Sequence, residues 1–375
     1  MNYETHIERI VDEENDEFSN DDLFNISSWG ADPSVRELIL QYKDGDIEKP
    51  ELQRKYVWTK KEASRFIESL LLGLPVPSIF LANMEPSGKR LIIDGYQRIR
   101  TLYDYIEEGI WHGDDTEFKL INSELINKRW RGKSFNDLLA DDKRRLRTYT
   151  IHAIIFEQKH PSDDSGLFQV FERINTSGTS LNNQEIRNCV YQGAMNKLLF
   201  SLNRNKEWRI LFGGSCEDNR MIDLEFILRF FAMNDECVYK SDSKQISLKQ
   251  LLNKYMQSNQ VLTEKEIGFK TSTFNETISF IINSYGEEAF FNLQKDFSKI
   301  RRKFHPAVYD SIMIATSIAL SRGYTNCKSA DLKLRRMNLL YDDAYRESIM
   351  QATMQVENIY TRISRALYVL YDMEL

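Results

Sequence analysis

The sequence predicts an α+β protein in which a small α/β domain is followed by a mainly helical one. Two observations carry this. Between residues 30 and 157, apolar runs of strand length alternate with amphipathic helical stretches. Beyond residue 164 strand signals almost vanish, and a helical apolar period dominates. The 375 residues, 42% hydrophobic and 28% charged, suit two globular domains. The expected division is an acidic leader over 1–30, a sheet domain over 31–160 and a helical domain over 161–375.

Pro33 opens the first predicted helix, PSVRELILQYKDG, which stops at Gly45. Residues 46–57 read as extended. Thr59 and Glu62 form a capping box for an amphipathic helix that ends at Gly73. LPVPSIFLANM is a proline-flanked strand, SGKR a hairpin turn, and RLIIDG the returning strand. IHAIIFE, 151–157, supplies another strand. Helical periods then cover 182–204, 221–234, 246–257, 273–303, 305–322 and 344–371. Within them MIDLEFILRFFAM is apolar nearly all round, the mark of a buried helix.

The net charge of −6 is unevenly spread. Residues 1–22 hold nine acids and one base, a charge of −8, which leaves +2 for the remainder. The leader reads as a solvated segment, or as a mimic of DNA charge that covers a binding surface. Without it the body no longer argues against a polyanionic partner. The four cysteines (Cys189, Cys216, Cys237, Cys327) form no CxxC pair, which fits a reducing compartment. No apolar run approaches the roughly 20 residues of a membrane span, and the acidic start is unlike a signal segment. A cytoplasmic protein without a membrane partner is expected.

Residues 91–102, LIIDGYQRIRTL, carry the strongest chemical signal. Leu91, Ile92 and Ile93 read as a buried strand that breaks at Asp94-Gly95, where a helical pattern begins. Strand, glycine turn and helix N-terminus together make an anion pocket, since backbone N–H groups and the helix dipole converge there. Arg98 and Arg100 oppose that dipole and so look placed for a ligand. Gly95 suits a positive φ or the close approach of a ligand. Asp94 could cap its own turn, orient Arg98 or Arg54, hold magnesium or activate water.

Upstream, QRKYVW (53–58) sets Gln53 and Arg54 before a capped helix, where a guanidinium could grip a phosphate. The alternative is a surface arginine beside a core-filling Trp58. Two Gln-Arg pairs framing one cleft would form a clamp, although spacing does not show that they meet. Downstream, FERINTSGTSLNNQEIRN (171–188) contains a capping pair, Asn182 with Glu185. Its first half places Arg173, Asn175, Thr176 and Ser177 in a glycine-ended loop, equipment for phosphate or ribose or a hydrogen-bonded interdomain turn. Gly132-Lys133-Ser134 is no P-loop, because Asn127 stands where the motif needs glycine. His6, His112, His152, His160 and His305 lack metal-ligand spacing, which excludes a readable His-based nuclease. Basic clusters lie at 128–133, 143–147 and 301–303. The first interleaves Trp130 among Lys128, Arg129, Arg131 and Lys133, as nucleic-acid surfaces do, though solvated helix faces look similar.

Taken together, QRxYVW, DGxQRxxTL and FxRINTxGxxLxxQEIRN resemble the N-terminal domain family of GmrS-type restriction proteins, with a weaker echo at FHPAVYDSIM (304–313). The resemblance implies a core similar to the ParB/sulfiredoxin fold and a role in bacterial defence against phage or foreign DNA. It implies binding of a nucleoside triphosphate, with Mg2+, by Gln53, Arg54, Trp58, Gly95, Gln97, Thr101, Arg173 and Asn175. Asp94 and Arg98 match the signature as the candidate catalytic pair, Asp94 also as the metal ligand. Tyr96 stands where the signature has its first glutamine. Relatives that cut DNA usually carry or recruit an HNH nuclease domain, and no His-Asn-His arrangement is readable in the helical half, so if this protein acts in cleavage the resemblance implies a separate HNH subunit. The expectation is a nucleotide-binding sensor or regulator acting on DNA, with NTPase activity and homo-oligomerisation as open options. The alternatives are a DNA-binding adaptor using Lys128, Arg129, Arg131 and Lys133, or a metal-dependent nuclease acting through Asp94.

Overall fold

The structure is a computed structural model that describes residues 7–8, 26–49, 56–84, 88–112, 114–158, 170, 182–214, 216–218, 220–294, 299–325 and 329–375. It is α+β, with a small sheet region and a helical C-terminal part. The chain divides into two compact units, Asn20–Val190 and Met1–Ser19 joined with Tyr191–Leu375.

The first unit contains β1 (Ile26–Ala31), β2 (Ile47–Glu48), β3 (Ile79–Met84), β4 (Lys89–Asp94), β5 (Ile110–Trp111), β6 (Thr116–Glu117) and β7 (Ala153–Gln158). Five of these form one sheet in the order β1-β7-β3-β4-β2, and β5 pairs separately with β6. Strands β3 and β4 form the expected antiparallel hairpin, while β3 runs parallel to β7 and β2 parallel to β4. Strand β1 lies in the expected leader except for Ala31. Its Ser-Ser-Trp-Gly centre is largely exposed and shows no apolar alternation, so only its antiparallel pairing with β7 defines it.

Helix α1 (Val35–Asp44) is begun by Ser34, whose side chain accepts the Glu37 N–H, rather than by Pro33, and it ends on left-handed Gly45. Helix α2 (Lys60–Leu72) shows the full Thr59–Glu62 capping box, each side chain accepting from the other's backbone. Helix α3 (Tyr96–Tyr103) follows β4 directly and runs into a π-helical turn at Asp104–Glu108. Helices α4 (Ala140–Thr148) and α5 (Asn183–Val190) complete the unit. Val35, Leu38, Ile67, Leu70, Ile92, Ile99, Leu102 and Ile155 form the core between the sheet and these helices.

The second unit contains α6 (Ala194–Asn203), α7 (Lys206–Phe212), α8 (Ile222–Met233), α9 (Glu236–Tyr239), α10 (Leu248–Ser258) and α11 (Glu264–Tyr285). Then come β8 (Phe291–Leu293), β9 (Ile300–Phe304), α12 (Pro306–Ser321), α13 (Ser329–Tyr341), α14 (Asp343–Met350) and α15 (Val356–Tyr371). Three sequence expectations are corrected here. The period over 182–204 is broken at Gly193, whose φ of 147° and contact with the Gln260 backbone suit no larger residue. The period over 273–303 is one helix that ends before Gly286, followed by the β8–β9 hairpin. The period over 344–371 is two helices, separated at 351–355. Helix α8 is buried nearly all round, as its composition requires.

The FHPAVYD stretch begins α12, with His305 as its cap and Pro306 in its first turn. Asp310 from that helix lies buried between two arginines, 2.6 Å from Arg229 Nη2 and 3.3 Å from Arg362 Nη2. Paired buried charges of this kind are costly to break singly, so the triad ties α8, α12 and α15 together. The leader is not wholly solvated: Ile7 bridges Phe304 of β9, and the Glu8 N–H donates to the Phe304 carbonyl at 2.8 Å.

Candidate functional site

The glycine turn between β4 and α3 is dictated by geometry. Gly95 has φ 107°, and a Cβ there would sit 2.6 Å from Ile79 Cγ2 on β3. Both constraints demand glycine, and the second comes from packing rather than from a ligand. The N-terminus of α3 has no side-chain cap and no acid in its first turn, so its leading N–H groups keep their capacity for an anion.

The two arginines after the turn are engaged with acids. Arg98 is 8% exposed; its Nη1 donates to the Pro77 carbonyl at 2.8 Å and its Nη2 to Asp94 Oδ2 at 2.6 Å. It staples the end of β4, the start of α3 and the segment entering β3. The Asp94 side chain is 47% exposed at the far end of that pair. Arg100 lies 2.6 Å from Asp104 Oδ1 and 3.0 Å from Glu108 Oε2, both on the π-helical turn. Asp104 is fully buried, and neither of its oxygens meets a well-aligned donor. Burial, outweighing the pull of Arg100, raises its carboxyl to about 7.

Gln97 answers whether the upstream and central motifs meet. Its Oε1 accepts the backbone N–H groups of Val57 and Trp58, at 3.1 and 3.2 Å. One turn later, Thr101 Oγ1 lies 2.7 Å from the Tyr56 hydroxyl. The end of the QRKYVW segment is therefore latched onto α3. Trp58 packs edge-to-face on Phe66 of α2, as a core-filling residue does. Gln53 and Arg54 lie outside the described residues, as do Arg173 and Asn175.

Sequence reasoning missed Lys49, which stands a few residues ahead of the QRKYVW segment in sequence. Its Nζ lies 4.6 Å above the Tyr96 ring, a cation–π contact that gives Tyr96 a role. Burial and then the nearby Arg100 charge lower the Lys49 pKa. His112, whose ring lies 5.1 Å from that of Tyr56, is lowered by burial and then by Arg100 and Lys49. Three basic groups thus gather beside α3. Only their spatial neighbourhood reveals them, since Lys49 and His112 belong to no motif. The expected cap of α5 is present, with Asn182 and Glu185 exchanging hydrogen bonds at 2.7 and 2.8 Å.

Among the described residues no group of three His, Cys, Asp or Glu side chains could hold a metal ion. Asp94 offers one carboxylate, a donor set suited to magnesium carried on phosphates rather than to a standing protein site.

The basic loop is only partly open. Arg129 grips Asp142 of α4 through Nε and Nη2, at 2.9 and 2.8 Å, and Arg131 donates to the Ile126 carbonyl. Trp130 is buried, so it offers no ring for base stacking. Lys128 is exposed and Lys133 half-buried.

The first unit is thus an α+β scaffold in which the end of one signature segment is held against the helix that the other signature begins. Residues 35–192 match the family described as GmrSD restriction endonuclease, N-terminal domain, and this unit is a GmrS-type N-terminal domain. That family belongs to restriction and phage-defence systems related to DNA. No curated protein and no solved structure matches the chain. Among the described residues no helix is long and apolar enough to cross a membrane.

Proposed function

We propose that the first unit binds a nucleoside triphosphate at the start of α3 and serves as the sensing or regulatory component of a restriction system. The observation that carries this reading is the Gln97 latch beside Lys49, whose Nζ lies over the Tyr96 ring at the start of α3. Lys49 is a half-buried cation over the Tyr96 ring, and an anion bound beside it would offset the cost of burying its charge. The uncapped α3 N–H groups supply oriented donors at the same end. In this assignment Lys49 meets the phosphates, Gln97 and Thr101 hold the QRKYVW end against α3, and Arg98 keeps Asp94 in place. Asp94, half-exposed, positions water or a phosphate-borne magnesium.

The test is equilibrium binding and hydrolysis of ATP, GTP, CTP and UTP, with and without DNA, by the full chain and by Lys49→Gln. Binding of at least one nucleotide, weakened on the order of tenfold by the substitution, is expected, as for removal of one charge-assisted phosphate interaction. Absence of binding to all four, or equal binding by the variant, refutes it. A DNA-binding adaptor is the second reading, favoured by exposed Lys128 on the basic loop and exposed Arg144, Arg145 and Arg147 on α4. It predicts DNA affinity that falls steeply with salt and ignores nucleotide.

A further inference from the structure

Phe269, Thr273, Glu276 and Thr277 stand at helical spacing on α11, so one face of that helix carries an aromatic ring, a carboxylate and two hydroxyls. With Ser317, Ser321 and Arg322 from the end of α12, this face lines a cavity of about 360 Å3 within the second unit, large enough for a small ligand. Thr277 and Ser317 are buried in it, whereas Lys240, Phe269, Glu276 and Arg322 are exposed at its rim. The hydroxyl protons are mostly spent inside the helices. Thr273 donates to the Phe269 carbonyl at 2.9 Å, Thr277 to that of Thr273 at 2.7 Å and Ser321 to that of Ile318 at 2.8 Å. Their oxygens keep only lone pairs for anything that enters. Two helices also end at the cavity, α8 on Asn234 and α12 on Arg322, and neither has a base in its last turn. Their carbonyl ends carry partial negative charge, so this part of the lining calls for a donor with positive charge.

Opposite charges stand at the rim unneutralised. Among the described residues neither Glu276 nor Arg322 joins an ion pair: Glu276 accepts the Ser272 hydroxyl at 3.0 Å, and Arg322 Nη1 donates to the Glu374 carbonyl. That bond holds the guanidinium in place and leaves Nε and Nη2, the edge that fits a carboxylate. Phe269 is 72% exposed beside them, apolar surface that a ligand would cover. We propose that this cavity binds a free apolar α-amino acid. The carboxylate meets Arg322, with Lys240 adding positive charge. The ammonium meets Glu276 and the hydroxyl oxygens, and the side chain lies against Phe269 and Ile318. A zwitterion satisfies both unpaired charges, whereas an anion or a cation alone satisfies one and faces repulsion from the other. The inference concerns the second unit alone and is independent of nucleotide binding by the first.

The test is isothermal titration of the full chain with L-leucine and L-phenylalanine, and with the N-acetyl and the amide form of each. At least one free amino acid binds, and each of its blocked forms, lacking one of the two charges, binds on the order of tenfold more weakly. Glu276→Gln and Arg322→Gln each weaken the free amino acid by about the same factor. The two variants also separate the roles: Arg322→Gln loses the preference over the amide, and Glu276→Gln loses the preference over the N-acetyl form. Both side chains are exposed, so the substitutions leave the core intact, and matched thermal melts establish that the variants are folded. No binding of either amino acid up to about 10 mM overturns the proposal, as does equal binding of the blocked forms or undiminished binding by both variants.

Discussion

Gly95 and Arg98 show how one residue can serve geometry and a site together. Gly95→Ala meets both a left-handed φ and Ile79, so it destabilises the first unit by about 2–4 kcal/mol in urea unfolding. Arg98→Ala removes the staple between Asp94 and the Pro77 carbonyl and costs about 3 kcal/mol, with Asp94 able to turn to solvent. A fall in nucleotide binding by that variant therefore reports folding as much as recognition, which is why Lys49→Gln is the sharper probe. Asp104 makes a pH prediction. Its folded pKa of about 7 lies above the usual carboxylate value, so between about pH 4 and 7 the folded chain holds a proton that the unfolded chain has released. Stability relative to Asp104→Asn is greatest below that window, falls as pH rises through it, and levels off above pH 7. Parallel unfolding curves for the two proteins across pH would refute it.

Among the elements, α3 is the piece that organises the first unit. One side holds Ile99 and Leu102 in the core, and another carries Gln97 and Thr101 to the QRKYVW segment. Gln97→Ala frees the Val57 and Trp58 N–H groups. Amide exchange at those two positions is expected to accelerate with little change elsewhere, and nucleotide affinity to drop by about tenfold. Unchanged exchange at both amides would remove the latch from the site. The caps of α2 and α5 were legible because Thr59–Glu62 and Asn182–Glu185 are local patterns. Strands β1, β8 and β9 were not, because edge and hairpin strands owe their existence to pairing and show weak alternation of their own. The buried Trp130 misled for a related reason, since in sequence a tryptophan among cations looks the same whether it ends on a surface or in a core.

For the molecule as a whole, the two units give the nucleotide reading a spatial test. At a nucleotide concentration 100-fold above Kd, binding stabilises the folded first unit by about 2.7 kcal/mol. Exchange should slow across α3, Val57 and Trp58, while the buried core of α8, α12 and α15 keeps its own rates; uniform slowing in both units, or none, would contradict a site at α3. From its residues alone the chain shows the α+β class, the ordered motifs of a restriction-type domain and the uneven charge, because periodicity, capping pairs and composition are local and additive. Which groups become neighbours was decided in three dimensions. Lys49 comes to rest over Tyr96, the Gln97 amide catches the Trp58 segment, and Glu8 finds Arg301 across the length of the chain. Those contacts depend on loop closure and burial, which make a lysine near an arginine costly and a glycine beside Ile79 obligatory, and neither cost is written in the spacing of the sequence.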